Sequence, residues 1–398
     1  MRALSLCLLI LLSASQPGPA QNVAREGPGG EPFQPLMSDL AVLDAAEERS
    51  DLSCSVQPLD PKLEYDLNFQ AGYVIRVPLK DLAGNGNTLR VLFRIESLDG
   101  EMEPVWFTKR YDVPRIEPDA KGEAALPGKY RLGPGRYEVS WLMRDRAERV
   151  CAKFWEVEAR DIDPISGLAA APDEPKADEV SEEIFAAEPP VQRSRGRLLH
   201  AKLMVSFTPM DATKVKLSEY DMRSVVSMVR AIARQPQIGS FSLVAYHAQE
   251  ERVLFEETDV TRIDFPSLGE AVEASIGGTV NIEQLQDKRS GERFLSELFK
   301  KHLGPESPPA DVVLFVGPKV VFERLPSGSL LSAPKGPTPP LYYFIYNRNP
   351  RSYPWKDAVS AGLKDFSVKE KDITSASEFA RAMQQLVEEL VRLQAPQS

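Results

Sequence analysis

Apolar and polar residues alternate in short runs through the first half of the chain. Turn sequences such as AGNGN, LDGE and LGPGR separate these runs. The runs are YDLNFQAGYVIRVPL (65–79), TLRVLFRIESL (88–98), EPVWFTKRYDV (103–113), GRYEVSWLMRD (135–145) and VCAKFWEVEA (150–159). Strict alternation between regularly spaced turns is typical of strands with one buried face. It predicts an antiparallel, Ig-like β-sandwich over residues 51–160.

The pattern changes after residue 196. Continuous apolar runs, typical of strands buried on both faces, now alternate with amphipathic segments that have helical spacing. Ser218 and Ser375 precede two of these segments and are suited to cap them. The strand runs include LLHAKLMVSF (198–207), DVVLFVG (311–317) and LYYFIYN (341–347), and the helical segments include 218–235, 291–303 and 375–394. This order predicts a doubly wound α/β domain over residues 197–395.

Two stretches are too poor in apolar residues to form a core. Residues 21–50 are rich in Gly, Pro and acidic residues, and they predict a flexible arm. Residues 161–196 are rich in acidic residues, Ala and Pro, and they predict an extended linker. A chain of 398 residues is long enough for the two domains that this division gives.

The first 20 residues predict a signal peptide. Arg2 supplies a positive charge, and ALSLCLLILL (3–12) is an apolar run too short to span a bilayer. Small residues follow, with cleavage expected after Ser15 or after Ala20. No later segment has the length and apolar character of a membrane anchor. We therefore expect an exported protein, periplasmic or extracellular, with no transmembrane segment.

The net charge of −10 argues against one class of partner. Nucleic-acid binding proteins generally carry a basic face, so nucleic acid is not an expected partner. Among cysteines, Cys7 lies in the predicted signal peptide, which leaves Cys54 and Cys151. An even number of cysteines in an oxidising compartment favours a disulfide, and two free buried thiols are the alternative.

The second domain also resembles a known family. LMVSFTPM (203–210), IGGTVNIEQLQ (276–286) and DVVLFVGP (311–318) are similar to the first strand, the Gly-Gly-Thr loop and the fourth strand of a von Willebrand factor A (VWA) domain. Together with the preceding sandwich, the chain resembles secreted VWA-related proteins of the acidobacterial type. This resemblance implies a Rossmann-type fold whose carboxyl edge holds a divalent metal ion in working members.

The resemblance also implies that the metal site is degenerate. Ser206 and Gly317 stand where the family has aspartates, and Met210 stands where it has a serine. Thr208 and Thr279 match hydroxyl positions. A hard divalent cation needs carboxylate oxygens to supply charge, so neither a metal nor another cofactor is expected. Asp211 lies near this motif in sequence, but its offset is wrong by several residues.

Catalytic motifs are weak in this sequence. Ser206 ends a strand, as a hydrolase nucleophile does, but no G-x-S-x-G elbow surrounds it. His200, His247 and His302 occur at no recognisable catalytic spacing, and His247 is the best placed of the three. There is also no phosphate-binding G-x-x-x-x-G-K motif and no H-E-x-x-H motif.

Two loops at the carboxyl edge offer a partner surface. Residues 318–340 form a long connection with apolar side chains, and residues 347–357 are rich in the residue types that anchor interfaces. The candidate contact residues are Phe322, Leu330, Leu331, Arg348, Arg351, Tyr353 and Trp355. The alternatives are that the first loop is a variable insertion or a lid, and that Tyr353 and Trp355 pack beneath the second.

These observations favour an exported, non-catalytic protein for interaction or assembly with an unidentified protein in the cell envelope. Two other functions stay open. One is a metal-dependent adhesion domain with an unusual ligand set, and the other is a hydrolase that uses Ser206.

Overall fold

The computed structural model describes residues 22–23, 35–100, 102–160, 177–179, 183–211, 213–275, 289–333 and 338–395. The predicted signal peptide and residues 21 and 24–34 of the predicted arm lie outside these ranges. The first ten strands are β1 (Asn22–Val23), β2 (Arg49–Ser50), β3 (Ser55–Leu63), β4 (Phe69–Pro78), β5 (Asn87–Ser97), β6 (Val105–Val113), β7 (Glu123–Leu132), β8 (Gly135–Arg144), β9 (Val150–Ala159) and β10 (Ala177–Glu179). Helix α1 (Met37–Asp44) precedes β2, and a 3-10 helix (Leu79–Leu82) follows β4.

These strands form two antiparallel sheets. One has the order β1-β6-β5-β8-β9-β2, and the other has the order β10-β7-β4-β3. Alternate residues of both sheets fill a common core in which Tyr73 lies between Phe93 and Trp141, with ring centroids 5.7 Å from each. Trp141 is fully buried, and Trp155 packs against the same core. The predicted sandwich is consistent with this arrangement.

A disulfide joins Cys54 to Cys151, as one of the two sequence interpretations predicts. Cys54 lies just before β3 of the second sheet, and Cys151 lies in β9 of the first. The two Cα atoms are 6.3 Å apart, and the residues are separated by 97 positions in sequence. The bond therefore closes a loop that contains most of the strands of both sheets.

The rest of the described chain builds a third sheet and most of the helices. Its strands are β11 (Leu199–Ser206), β12 (Ile238–His247), β13 (Arg252–Val260), β14 (Val312–Pro318), β15 (Leu341–Tyr346) and β16 (Val368–Ile373). Its helices are α2 (Glu219–Ala233), α3 (Phe265–Ser275), α4 (Ser290–Leu303), α5 (Ala358–Gly362) and α6 (Ala376–Gln394). Ser218 and Ser375 cap α2 and α6 by accepting hydrogen bonds from Asp221 and Glu378 backbone N–H groups, as predicted.

This sheet has the order β13-β12-β11-β14-β15-β16 and is mixed. Strand β13 runs antiparallel to β12, and the other neighbouring pairs are parallel. Helices α2, α3 and α6 contribute to one hydrophobic cluster of the sheet, while α4 and α5 contribute to another. None of the helices in the described ranges combines the length and apolar character needed to cross a membrane.

The predicted fold class is corrected by this topology. The described residues form two antiparallel sheets and one mixed α/β sheet, with most of the helices beside the mixed sheet. This fold is not assigned to the doubly wound, VWA-like class that the sequence predicts for residues 197–395. Alternating apolar runs and helices indicate which segments form strands and helices, but they do not define how the sheets assemble into a fold class. The prediction was wrong because it assigned the class from that order alone.

The tip of the β3–β4 hairpin reaches the core of the third sheet. Tyr65 and Leu67 are buried within its hydrophobic cluster. The Tyr65 ring lies 5.6 Å from the Tyr346 ring and 6.3 Å from the Phe379 ring. Leu67 has a φ of 62°, in the left-handed region that a leucine rarely adopts. Burial of the leucine side chain therefore outweighs the strain in its backbone.

The described part of the predicted linker makes specific contacts. Strand β10 pairs with β7 of the sandwich. Residues 183–198, which we call the strap, lie against α2. Glu188 in the strap is buried and forms ion pairs with Arg230 and Arg234 of that helix. Burial opposes ionisation of Glu188, but the two guanidinium groups hold its pKa below the usual value.

Candidate functional site

The parallel strands of the third sheet end together at one edge, which we call the carboxyl edge. Ser206, Pro318 and Tyr346 are the last residues of β11, β14 and β15. Ligands of sheets with parallel strands commonly bind beyond such ends, where loops diverge. Four of the five residues that the sequence assigns to a degenerate metal site lie in the described ranges, and Thr279 lies outside them.

Ser206 and Gly317 are in direct contact at this edge. A Cβ atom added to Gly317 would lie 2.4 Å from the Ser206 carbonyl oxygen and 3.0 Å from the Ser206 Cβ. Gly317 also has a φ of 140°, which strains any residue other than glycine. Backbone packing therefore leaves no room for the acidic side chain that the family pattern would place at Gly317.

The hydroxyl groups beside Gly317 serve the local backbone. The Ser206 Oγ accepts a 3.3 Å hydrogen bond from the Thr208 N–H, and the Thr208 Oγ1 accepts a 2.7 Å hydrogen bond from the Ala248 N–H. Both residues are buried, and Met210 is half-buried. The Asp211 carboxylate accepts hydrogen bonds from the Thr213 N–H and hydroxyl. These residues do not fit a divalent cation, because their oxygens are engaged and Asp211 faces its own turn.

In the described part of the chain, no group of three or more His, Cys, Asp and Glu side chains is placed to hold a metal ion. The loss of the family's metal site stays a prediction, since Thr279 and its loop lie outside the described residues.

The His247 and His200 rings are held by local polar contacts. His247 is buried, its Nδ1 accepts a hydrogen bond from the Glu250 N–H, and its Nε2 lies 3.3 Å from the Val215 carbonyl oxygen. Burial lowers the pKa of His247, so its neutral form is favoured. The His200 ring contacts two serine hydroxyls near the opposite edge, and the His302 carbonyl accepts a hydrogen bond from Lys202.

A buried carboxylate that sequence reasoning missed lies near the carboxyl edge. Asp357 caps α5 by accepting a 2.7 Å hydrogen bond from the Ser360 N–H. Its other oxygen accepts hydrogen bonds from the Val320 N–H at 2.7 Å and the Tyr343 hydroxyl at 3.0 Å. The side chain thereby ties the loop after β14 to α5. The available signal was an aspartate before a short apolar run with a serine three residues later.

Asp357 gives the protein a specific pH dependence. Burial raises its pKa to about 6, although hydrogen bonds from the Ser360 and Val320 backbone act in the opposite direction. Between about pH 4 and pH 6 the folded protein retains a proton that the unfolded chain has lost, so this group's contribution to stability decreases as pH rises. A shift of about two units corresponds to roughly 3 kcal/mol.

We expect wild type to lose up to roughly 3 kcal/mol of unfolding free energy relative to Asp357→Asn as the pH rises from 4 to 7. Asparagine removes the titration but keeps the size of the side chain. Urea denaturation followed by circular dichroism at each pH measures this difference. A difference that stays constant across the range would show that Asp357 does not titrate in this way.

The structure divides the candidate contact residues into two groups. Phe322, Leu330 and Leu331 pack against the hydrophobic cluster beneath α4 and α5. Phe322 lies over Gly291, and Leu330 lies over Gly362, where an added Cβ would meet the leucine at 2.8 Å. These three side chains belong to internal packing rather than to an open partner surface.

The second group lies on the surface. Arg348, Arg351 and Trp355 are exposed, and Tyr353 is half-buried. The Arg348 guanidinium stacks over the Tyr220 ring at 4.4 Å, and the Tyr353 and Trp355 rings are 6.1 Å apart. We call Tyr220, Arg348, Tyr353 and Trp355 the aromatic patch.

Comparison with known proteins adds little to this geometry. No family model matches the chain, and no curated protein matches it. Among solved structures, it is similar to the Northeast Structural Genomics Consortium target SoR45, with a TM-score of 0.19 and 9% identity over 29% of this chain and 91% of that one. It is also similar to Bacteroides uniformis beta-glucuronidase, with a TM-score of 0.18 and 8% identity over 66% of this chain and 33% of that one. These similarities are too weak to support a function, and they do not indicate a VWA domain.

Proposed function

We propose that the protein is exported, is non-catalytic and binds another protein of the cell envelope through the aromatic patch. The observation that carries this proposal is Trp355, which is 55% exposed at the carboxyl edge. Tryptophan, tyrosine and arginine are the residue types that most often dominate the energy of protein interfaces. Export is supported by the sequence of residues 1–20, which has the features of a signal peptide.

The loop that carries Trp355 is internally braced. The Asn347 side chain donates a 3.2 Å hydrogen bond to the Tyr353 carbonyl, and the Tyr353 N–H donates to the Asn349 carbonyl at 3.1 Å. Lys319 from the neighbouring connection donates to the Trp355 carbonyl at 3.4 Å. A loop held in this way loses little conformational entropy on binding, which favours affinity.

The charge of this surface indicates the chemistry of the partner. Residues 347–356, NRNPRSYPWK, contain three basic residues and no acidic residue, although the whole chain has a net charge of −10. A partner surface with an apolar pocket for Trp355 and acidic residues around it would complement both features.

The non-catalytic part of the proposal is supported by the surroundings of Ser206. Its side chain is 1% exposed and lies against Gly317, and its hydroxyl accepts a hydrogen bond from the Thr208 backbone. A nucleophile must reach its substrate and have its proton removed by a base. The position of Ser206 does not favour the first of these requirements.

We expect Trp355→Ala to reduce capture of the partner from envelope extract by at least about tenfold, because a tryptophan that dominates an interface contributes about 2 kcal/mol or more. The matched control is Val391→Ala on α6, which also truncates an exposed apolar side chain (52% exposed). Quantitative mass spectrometry of proteins bound to the two variants and to wild type measures the effect.

A photo-crosslinking amino acid at position 355 provides a second measurement. It should label the same partner that Trp355→Ala loses, and the same group at position 391 should not. If Trp355→Ala retains every protein that Val391→Ala retains, the aromatic patch is not the binding surface.

A further inference from the structure

A cavity of about 530 Å³ lies at the opposite edge of the third sheet, where β11 and β12 begin. Its walls come from the strap, the end of α2, the start of β12 and the segment between β13 and α3. The apolar residues around it are Pro189, Pro190, Val191 and Leu198, with Phe241, Ile263 and Phe265 buried at its base. The volume lies within the range of about 300–1,000 Å³ that small-molecule sites usually have.

The strap is fixed where it forms the cavity wall. The Glu188 carboxylate binds Arg230 and Arg234 of α2, and the Arg230 guanidinium also donates to the Ile184 carbonyl at 3.0 Å. Further along, the Arg193 side chain donates to the carbonyls of Ala233, Gln235 and Thr261 and lies over the Phe241 ring. The cavity is therefore a built feature that does not depend on an unsupported loop.

The charges around the cavity are predominantly positive. Arg193, Arg234 and Arg262 line it, with Glu188 as the acidic lining residue. Glu188 is neutralised by its ion pairs with α2, and the Arg193 donors are directed at backbone carbonyls. Arg262 is exposed at the rim, and the nearby Asp264 carboxylate accepts hydrogen bonds from Ser267 at the start of α3. Besides these hydrogen bonds, the Arg262 charge helps to lower the pKa of Asp264, but Arg262 is the exposed one of the three lining arginines and can therefore meet a ligand.

We propose that this cavity binds a small amphipathic carboxylate. The hydrocarbon part lies along the prolines of the strap and Leu198, above the buried base of the cavity, and the carboxylate lies at Arg262. A guanidinium group favours carboxylates through paired hydrogen bonds. The site is independent of the proposed partner surface, because the aromatic patch lies at the carboxyl edge of the sheet.

Calorimetric titration of the whole exported chain tests this proposal, with octanoate and octylamine as probes. We expect octanoate to bind saturably with one-to-one stoichiometry. Octylamine should bind at least about tenfold more weakly, because its ammonium group would face Arg262. Arg262→Gln should weaken octanoate binding about fivefold, the usual effect of a partly exposed ion pair.

The controls place binding in the cavity. Arg351→Gln removes an exposed arginine near the aromatic patch and should leave octanoate binding unchanged. Thr261→Trp adds bulk from an exposed residue that lines the cavity, and it should abolish binding with little risk to the fold. The proposal is overturned if octanoate does not bind, if octylamine binds equally well, or if Arg262→Gln and Thr261→Trp both behave like Arg351→Gln.

Discussion

Replacing Gly317 by alanine is expected to lower the free energy of unfolding by about 4 kcal/mol. The φ of 140° is strained for any residue with a Cβ, which costs on the order of 1–3 kcal/mol. The added methyl group would also lie 2.4 Å from the Ser206 carbonyl oxygen, so β11 and β14 must separate at the carboxyl edge. Gly317→Asp, which would introduce the acid of the family pattern, should be more damaging still.

Gly84→Ala is the matched control for this prediction. Gly84 has a similar φ of 131°, but a Cβ placed there would meet no atom within 4 Å. It should show the cost of backbone strain alone, about 1–2 kcal/mol. Guanidinium denaturation of both variants measures the two effects. Equal losses in the two variants would mean that the contact between Gly317 and Ser206 contributes nothing.

Replacing both Cys54 and Cys151 by alanine should lower the free energy of unfolding by about 5 kcal/mol. The disulfide closes a loop with a sequence separation of 97, and the chain-entropy estimate for a loop of this length is about 4–5 kcal/mol. Changing both residues avoids a reactive free thiol. Because Cys151 is fully buried, a smaller loss from truncation of its side chain adds to the effect.

Reduction of the wild-type protein separates these two contributions. Wild type unfolded in the presence of dithiothreitol should lose most of the same stability without any change of side-chain volume. Mass spectrometry before and after reduction supplies the direct check on the bond. Alkylation of both cysteines in unreduced protein, or a double variant within about 1 kcal/mol of wild type, would contradict the prediction.

The sequence correctly predicted several local features, but it did not predict every strand or the fold class. The capping residues Ser218 and Ser375 follow from short-range rules. Strands β3 and β7 were missed because they contain prolines, which usually disfavour strands. Both tolerate them for a physical reason, since β3 is an edge strand and β7 pairs with β10 only at residues 130–132. The fold class was wrong because it depends on how distant segments assemble, which the order of elements does not define.

For the candidate site too, the sequence predicted some features and missed those that depend on contacts between distant residues. A motif comparison placed Ser206 beside Gly317, and the two do meet. It could not show that their backbones touch, because that distance depends on how β11 and β14 pair. Trp355 and Phe322 look alike in sequence as apolar loop residues, yet one is exposed and the other packs against Gly291. Asp357 was missed because its importance comes from Val320 and Tyr343, which are distant in sequence.

The buried tip at Tyr65 and Leu67 has a consequence for how the protein behaves in solution. If the sandwich and the third sheet with its helices, here called the two lobes, were joined only by a polar connection, they would reorient independently. Each lobe would then have the rotational diffusion of a smaller body. Here a tyrosine of one lobe is packed against Tyr346 and Phe379 of the other. Both lobes should therefore tumble with a single correlation time. The distance between a partner bound at Trp355 and the disulfide of the sandwich would then stay constant.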